Sequence, residues 1–237
     1  KPILFGVNLS GKIQQRLNKI ASSDYDNIEV WQIVESFNKG QVQWLRRNLH
    51  GLNVKQTGDE QSKRRIDDLQ TILTEIEILL IKRDLYFESE DLPENYFEWK
   101  RISANGDTGC CEKPKRMVIY LDAEANVDEL LRDNIKKPSL PWGETFCTLI
   151  DNKVRVYTNN EFDIVDARLT YYRQPIRIEI AGTIDPYTQL LSPVDVECEF
   201  KDDIIELFVD EAAKILAGDI ESFNISQQAS QQVEGNN

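Results

Sequence analysis

Histidine is almost absent: among 237 residues only His50 carries an imidazole. A Ser–His or Cys–His nucleophile needs a base beside it, so a centre of that kind has one residue to build on and no local signature around it. At the end of a predicted helix, next to Gly51, His50 has a plainer role, since an imidazole there complements the negative pole of the helix dipole. Cysteine is scarce too. Cys110, Cys111, Cys147 and Cys198 include no CxxC, so neither a zinc framework nor a disulfide scaffold follows, and reduced thiols are expected. Walker and GxGxxG loops are missing, and the NGDTG of residues 105–109 reads as a turn between strands. No apolar run is long enough to cross a bilayer, since the longest is broken by Glu75 and Glu77, and residues 1–7 are too short for a signal-peptide core. Synthesis in the cytosol, away from membranes, is the expectation.

Positive charge is in deficit, with 28 Lys and Arg against 41 Asp and Glu and a formal net charge of −13. A broad nucleic-acid or anionic-membrane surface needs clustered bases and is disfavoured. Residues 1–80 hold 11 bases and 10 acids, leaving 17 and 31 for the rest, so the split is +1 against −14 and the acidity belongs to the later part. The paired acids, Asp67–Asp68, Asp202–Asp203, Glu75 with Glu77 and Glu197 with Glu199, do not form an obvious catalytic set. Adjacent acids on a helix point about 100° apart, which suits caps and solvated faces better than one metal or one glycosidic bond. No catalytic, cofactor-binding or metal-ligating residue is assigned, and the chain reads as a non-enzyme.

What is present is enough apolar residue, 41%, to fill a sizeable core. Ile13, Leu17 and Ile20 share one face of a short predicted helix over 11–20. Val30, Val34, Phe37, Trp44 and Leu45 recur near helical spacing over 24–49, with Asp24 and Asp26 as candidate caps. Gly40 inside that helix costs roughly 1 kcal/mol against Ala, which marks a bend or a close helix crossing. After a polar loop over 51–62, the stripe Ile66, Leu69, Ile72, Leu73, Ile76, Leu79 and Leu80 predicts a second long helix, wide enough to face two partners.

Beyond Lys82 short β-like runs take over: 95–103, 116–121, 145–150, 153–157, 168–172 and 176–180, with a small helix at 126–133. Asp151–Asn152 predicts a two-residue hairpin turn. Asp202 and Asp203 open a third helix whose Ile205, Phe208, Val209, Ala212, Leu216 and Ile220 share a face. The polar tail 224–237 is expected to be disordered or extended by itself, ordering on a partner. The predicted class is α+β: a helical bundle of the N-terminal helices (1–82) and the C-terminal helix (201–223), an inserted antiparallel strand-rich module (83–200) and a C-terminal arm (224–237).

For a protein without an active site the candidate residues are surface ones. Lys63, Arg64 and Arg65 stand near a helix start, where bases oppose the dipole unless they pair with Asp67 and Asp68 or meet an acidic partner, another copy included. Trp99, Trp142, Tyr171 and Tyr172 are of the types that anchor interfaces, although aromatics in a module this size are more often core. Phe223, at the root of the arm, completes the candidate subunit interface.

Several stretches resemble structural proteins of crAss-like bacteriophages: FNKGQ at 37–41, LHGLN at 49–53, QTGDEQS at 56–62 and RIDDL at 65–69. LPENY at 92–96, RLTYYRQP at 168–175, VDEAA at 209–213 and GDIE at 218–221 extend the likeness over most of the chain. The resemblance implies a virion head-to-tail connector, a ring protein beneath the portal that joins capsid to tail and leaves a central channel for DNA. It implies a twelve-fold homo-oligomeric ring, the portal and other connector or tail proteins as partners, and residence at the portal vertex of the virion. DNA would pass without specific binding, since negative charge facing the channel avoids phosphate contacts. The alternative is an adaptor or chaperone that forms no ring and binds one protein partner.

Overall fold

The computed structural model describes residues 9, 11–13, 15, 16, 28–50, 63–109, 113–184 and 189–235, with the backbone alone at 63–65 and 220–235. Two compact units divide the chain, Ile72–Gln174 and a second made of Lys1–Thr71 with Pro175–Asn237. The main feature is an eight-stranded sheet in the first of these, which overturns the expected helical bundle with an inserted antiparallel module.

The strands are β1 (Leu73–Glu77), β2 (Leu80–Lys82), β3 (Tyr86–Ser89), β4 (Tyr96–Asp107), β5 (Lys115–Leu121), β6 (Glu144–Ile150), β7 (Lys153–Tyr157) and β8 (Asp163–Arg173). Their order is β1-β8-β4-β5-β6-β7-β3-β2, and every pairing is antiparallel except β5 with β6. A parallel pair needs a crossover connection. Here a 3-10 turn (Glu124–Asn126) and a short helix (Val127–Arg132) lie between the two strands.

The largest departure from expectation lies at 66–80. A helix does form, but over Lys63–Leu69 only, and β1 begins four residues later. The apolar residues of this stretch fit both periods. From Glu75 to Ile81 exposure alternates residue by residue, with Ile76, Ile78 and Leu80 turned inward. The β-branched residues Thr71, Ile72, Thr74, Ile76, Ile78 and Ile81 favour the strand, where their χ1 restriction costs nothing.

The inner side of the sheet is closed over one apolar cluster that includes Ile102, Met117, Ile119, Cys147, Val154, Val156, Leu169 and Tyr171. Ile76 from one edge strand and Leu80 from the other pack on the same cluster, so the sheet curls around it. Gly106 permits close packing there: a Cβ at this position would stand 2.8 Å from Leu140 Cδ1 and 3.0 Å from Phe162 Cδ2. The β6–β7 turn is the two-residue hairpin expected, with Asp151 and Asn152 at φ 48° and 60°.

In the helical unit, α1 (Val30–His50) and α4 (Asp202–Gly235) are the long elements and α2 is the 63–69 helix, while α3, the 127–132 helix, belongs to the sheet unit. Gln32 accepts the backbone N–H of Glu29 at 3.0 Å, the return half of a capping box that starts α1 at Val30; Asp24 and Asp26 lie outside the described residues. Phe208 on α4 stands edge-on to Phe37 at 5.7 Å, Trp44 at 5.4 Å and Phe200 at 5.2 Å. Gly40 is the crossing point: a Cβ there would meet Phe208 O at 3.3 Å and Ala212 N at 3.4 Å. Gly40→Leu forces these backbones apart and is expected to lower stability by about 3 kcal/mol, measured by urea denaturation.

The predicted strand at 176–180 does not form; Ile178 is held instead by the side chain of Asn38, and Glu179 makes a single bridge to Val196. The helix α4 runs on through 224–235, where a disordered or extended tail is expected from composition. Gln, Ser and Glu there are acceptable helix formers and no proline interrupts them, so the helix continues once the packed turns before it have met the cost of nucleation.

Candidate interaction surface

Alternation along each strand sends one set of side chains to the core and the other outward, and the register aligns the outward set. Arg101 stands opposite Thr170, and Ser103 opposite both Val118 and Arg168. Asn105 faces Arg116 and Asp166, while Glu75 faces Thr170 and Glu77 faces Arg168. The result is a polar trough of about 350 Å³ on the outer face of β1, β8, β4 and β5, with Arg101, Arg116 and Arg168 in its wall.

Most of its charges are engaged. Arg168 donates to Glu77 at 3.0 Å, Thr170 donates to Glu75 at 3.2 Å, and Arg101 and Arg168 stand 3.7 and 3.9 Å from Glu75. Asp166 accepts the backbone and side-chain N–H groups of Asn105 at 3.1 and 3.0 Å. Arg116 has no ion pair among the described residues. Exposed ion pairs of this kind contribute little to stability.

Further along the same face, Phe146 and Tyr157 stack at 4.8 Å, and α3 covers them with Leu130, Val127 and Leu131. Arg155 lies 5.0 Å over the Tyr86 ring, and its hydrogen bond, ahead of that from Arg83, holds Glu88 below the usual carboxylate range. Burial raises the Tyr157 hydroxyl above its ordinary pKa. Between the two halves runs β5, whose outward Val118 and Tyr120 are 51% and 55% exposed. Trp142, 67% exposed, precedes Gly143, whose carbonyl accepts the Val118 N–H at 2.7 Å.

The sequence-level candidates fare unevenly. Trp142 is on the surface. Tyr171 and Tyr172 are 2% and 1% exposed, so neither is free to meet a neighbouring subunit; Tyr171 packs on Tyr96 at 5.7 Å and donates to Asn95 at 2.9 Å. Trp99 packs partly buried against the sheet core. Asp67 is bound by Lys201 and Gln70, and its hydrogen bond raises the Lys201 pKa; Asp68 is half-buried. The side chains of Lys63, Arg64, Arg65 and Phe223 lie outside the described residues, as do Cys110 and Cys111.

Of the thiols described, burial pushes Cys147 to about 12 and Cys198 to about 11, so both are protonated at neutral pH. The acids near Cys198 serve the backbone: Glu199 accepts the Ile176 N–H at 3.0 Å and Asp195 the Ala181 N–H at 2.7 Å. Among the described residues no group of three or more His, Cys, Asp or Glu is placed to hold a metal ion. Arg101, Arg116 and Arg168, far apart in sequence, meet only through strand pairing. Their alternation with apolar neighbours, as in Arg116-Met117-Val118-Ile119, is the one sign of it in the sequence. No protein-family model matches the chain, and no curated protein matches it.

Proposed function

We propose that this chain is a structural subunit of a bacteriophage virion, a ring-forming head-to-tail connector that joins portal to tail around a central DNA channel. The observation that carries the reading is the pair of exposed apolar side chains Val118 and Tyr120 on β5, the strand that also carries Arg116 of the charged trough, with exposed Trp142 next in sequence to the Gly143 that β5 hydrogen-bonds. Large apolar side chains grouped on the surface mark a protein contact more often than a solvated face. The class of assembly comes from the residue stretches similar to crAss-like phage structural proteins, and twelve copies per ring is the number that likeness implies. A net charge of −13 suits a channel through which DNA slides without sticking.

The far end of α4 serves in this reading as an arm onto a neighbouring subunit or ring. The α4 backbone continues to Gly235, and residues 224–237 carry only Ile225, Ala229 and Val233 as apolar side chains among Ser, Gln and Asn. Deleting 224–237 is therefore expected to shift the melting temperature by less than about 3 °C, equivalent to roughly 1 kcal/mol. The same deletion is expected to weaken co-sedimentation with purified portal. A truncated chain that no longer folds, or one that binds portal as well as the full chain, contradicts the arm; a full chain that never joins portal or other connector proteins contradicts the connector.

A further inference from the structure

The outer face of the sheet carries unmatched charges of opposite sign in two places. In the trough, Asp166 is committed to Asn105 and Glu75 is shared between Arg101 and Arg168, while Arg116 meets no carboxylate among the described residues. Over β6 and β7, the crossover of residues 122–133 bears five acids, Asp122, Glu124, Asp128, Glu129 and Asp133, against the single base Arg132. Asp122 and Asp133 accept backbone N–H groups and Glu124 accepts from the Tyr157 hydroxyl at 3.4 Å. Asp128 and Glu129 are exposed at the start of α3 and make no ion pair among the described residues.

We propose that the trough is the docking site for α3 of a second copy of this chain, with Asp128 and Glu129 of one subunit meeting Arg116 and Arg101 of the next. The inference rests on the ring reading and names its contact. Small-molecule sites are mostly apolar with a few polar groups, whereas Ala104 is the one apolar residue lining this hollow. Nucleic acid is a poor match for walls that include Glu75 and Asp166. The exposed carboxylates of Asp128 and Glu129 on a short helix match the trough in charge.

The two halves of the contact belong to one chain, one on β4 and β5 and the other on the α3 helix that lies over β6 and β7. One subunit's trough then takes the next subunit's helix, a heterologous contact that repeats and closes into a ring when the rotation allows. Val118 and Tyr120 lie on β5 between trough and helix and would be covered by the same docking, an apolar centre with a charged rim.

Charge reversal tests this on the full chain. Arg101→Glu with Arg116→Glu, and separately Asp128→Lys with Glu129→Lys, are each expected to raise the self-association Kd on the order of tenfold or more in sedimentation velocity. Rising salt acts in the same direction. A chain carrying all four changes regains association, because the swapped charges match again, and thermal melts stay those of the native chain since all four side chains are exposed.

Association that none of the reversals alters overturns this contact and leaves the ring reading standing. A native chain that stays monomeric, alone and on purified portal, overturns both. Arg116-dependent binding of polyglutamate or of duplex DNA by a chain that never self-associates assigns the trough to a different partner and overturns the proposal as well.

Discussion

Replacing Phe208 by alanine is expected to lower the unfolding free energy by about 3–5 kcal/mol. The side chain is fully buried and touches three aromatic rings at once, two from α1 and one from Phe200 just before α4. Edge-to-face pairs add roughly 0.5–1.5 kcal/mol beyond burial, and here two of them join the two long helices. Gly40 keeps the crossing tight, with the Phe208 carbonyl 3.3 Å from where a Cβ would stand, so the helices have little freedom to close over the cavity. Phe208→Leu retains most of the volume and is expected to cost less, about 1.5 kcal/mol. Urea denaturation followed by tryptophan fluorescence reads the change directly, since Trp44 is one of the contacts. A loss under about 1 kcal/mol for the alanine variant would contradict the packing described.

Asn38→Leu is expected to cost about 2–5 kcal/mol for a different reason. Asn38 lies on α1 and treats the chain at Ile178 as a neighbouring strand would: its Oδ1 accepts the Ile178 N–H at 2.9 Å and its Nδ2 donates to the Ile178 carbonyl at 3.3 Å. Gln41 supports the same oxygen, donating to it at 3.1 Å. Leucine has a similar size, but it leaves a buried N–H and a buried carbonyl unpaired, each worth roughly 1–3 kcal/mol. Hydrogen exchange tests the mechanism apart from the magnitude. The Ile178 amide should be protected in the native chain and exchange much faster in the variant, whereas unchanged protection would mean that the segment is held by something else.

The same two residues show why the sequence was only partly legible. Residues 176–180 alternate like a strand, but Ile178 bonds to the Asn38 side chain on α1, Ile176 to the Glu199 side chain and Glu179 to the Val196 backbone, which no local pattern announces. Strands bounded by turns are plain: the pattern predicts 153–157 at its observed limits, and 116–121 and 145–150 within a residue of theirs. The Asp151–Asn152 turn explains the two strands that flank it, because its left-handed residues fix where both end at the hairpin. Residues 163–167 give no strand pattern because charged and apolar side chains are mixed there around a bulge beside Asn105.

The reading of 66–80 failed for a deeper reason. Its apolar positions satisfy a helix and a strand alike, and only pairing with β8 decides between them. Because β1 and β2 were lost to that helix, the sheet edge was lost too, and with it the outer face. The candidate surface inherited that gap. Residue type alone singles out Trp142, Tyr171 and Tyr172 alike, yet Trp142 is exposed and the two tyrosines are buried. Arg101, Arg116 and Arg168 become neighbours only through the register of three antiparallel strands.

Charge gives the surface its direction. The arginine trough and the acidic crossover occupy one face of the same sheet, on a chain that is otherwise strongly acidic. Such an arrangement suits a protein that meets copies of itself in a fixed orientation, because like faces repel and unlike faces attract.

The most direct test of the connector role is electron microscopy of virions, or of this chain assembled with its portal, asking where the protein sits. A closed ring of copies on the portal axis, with density for the channel through its centre, is the predicted result; a protein found loose, off the axis or inside the capsid would contradict it.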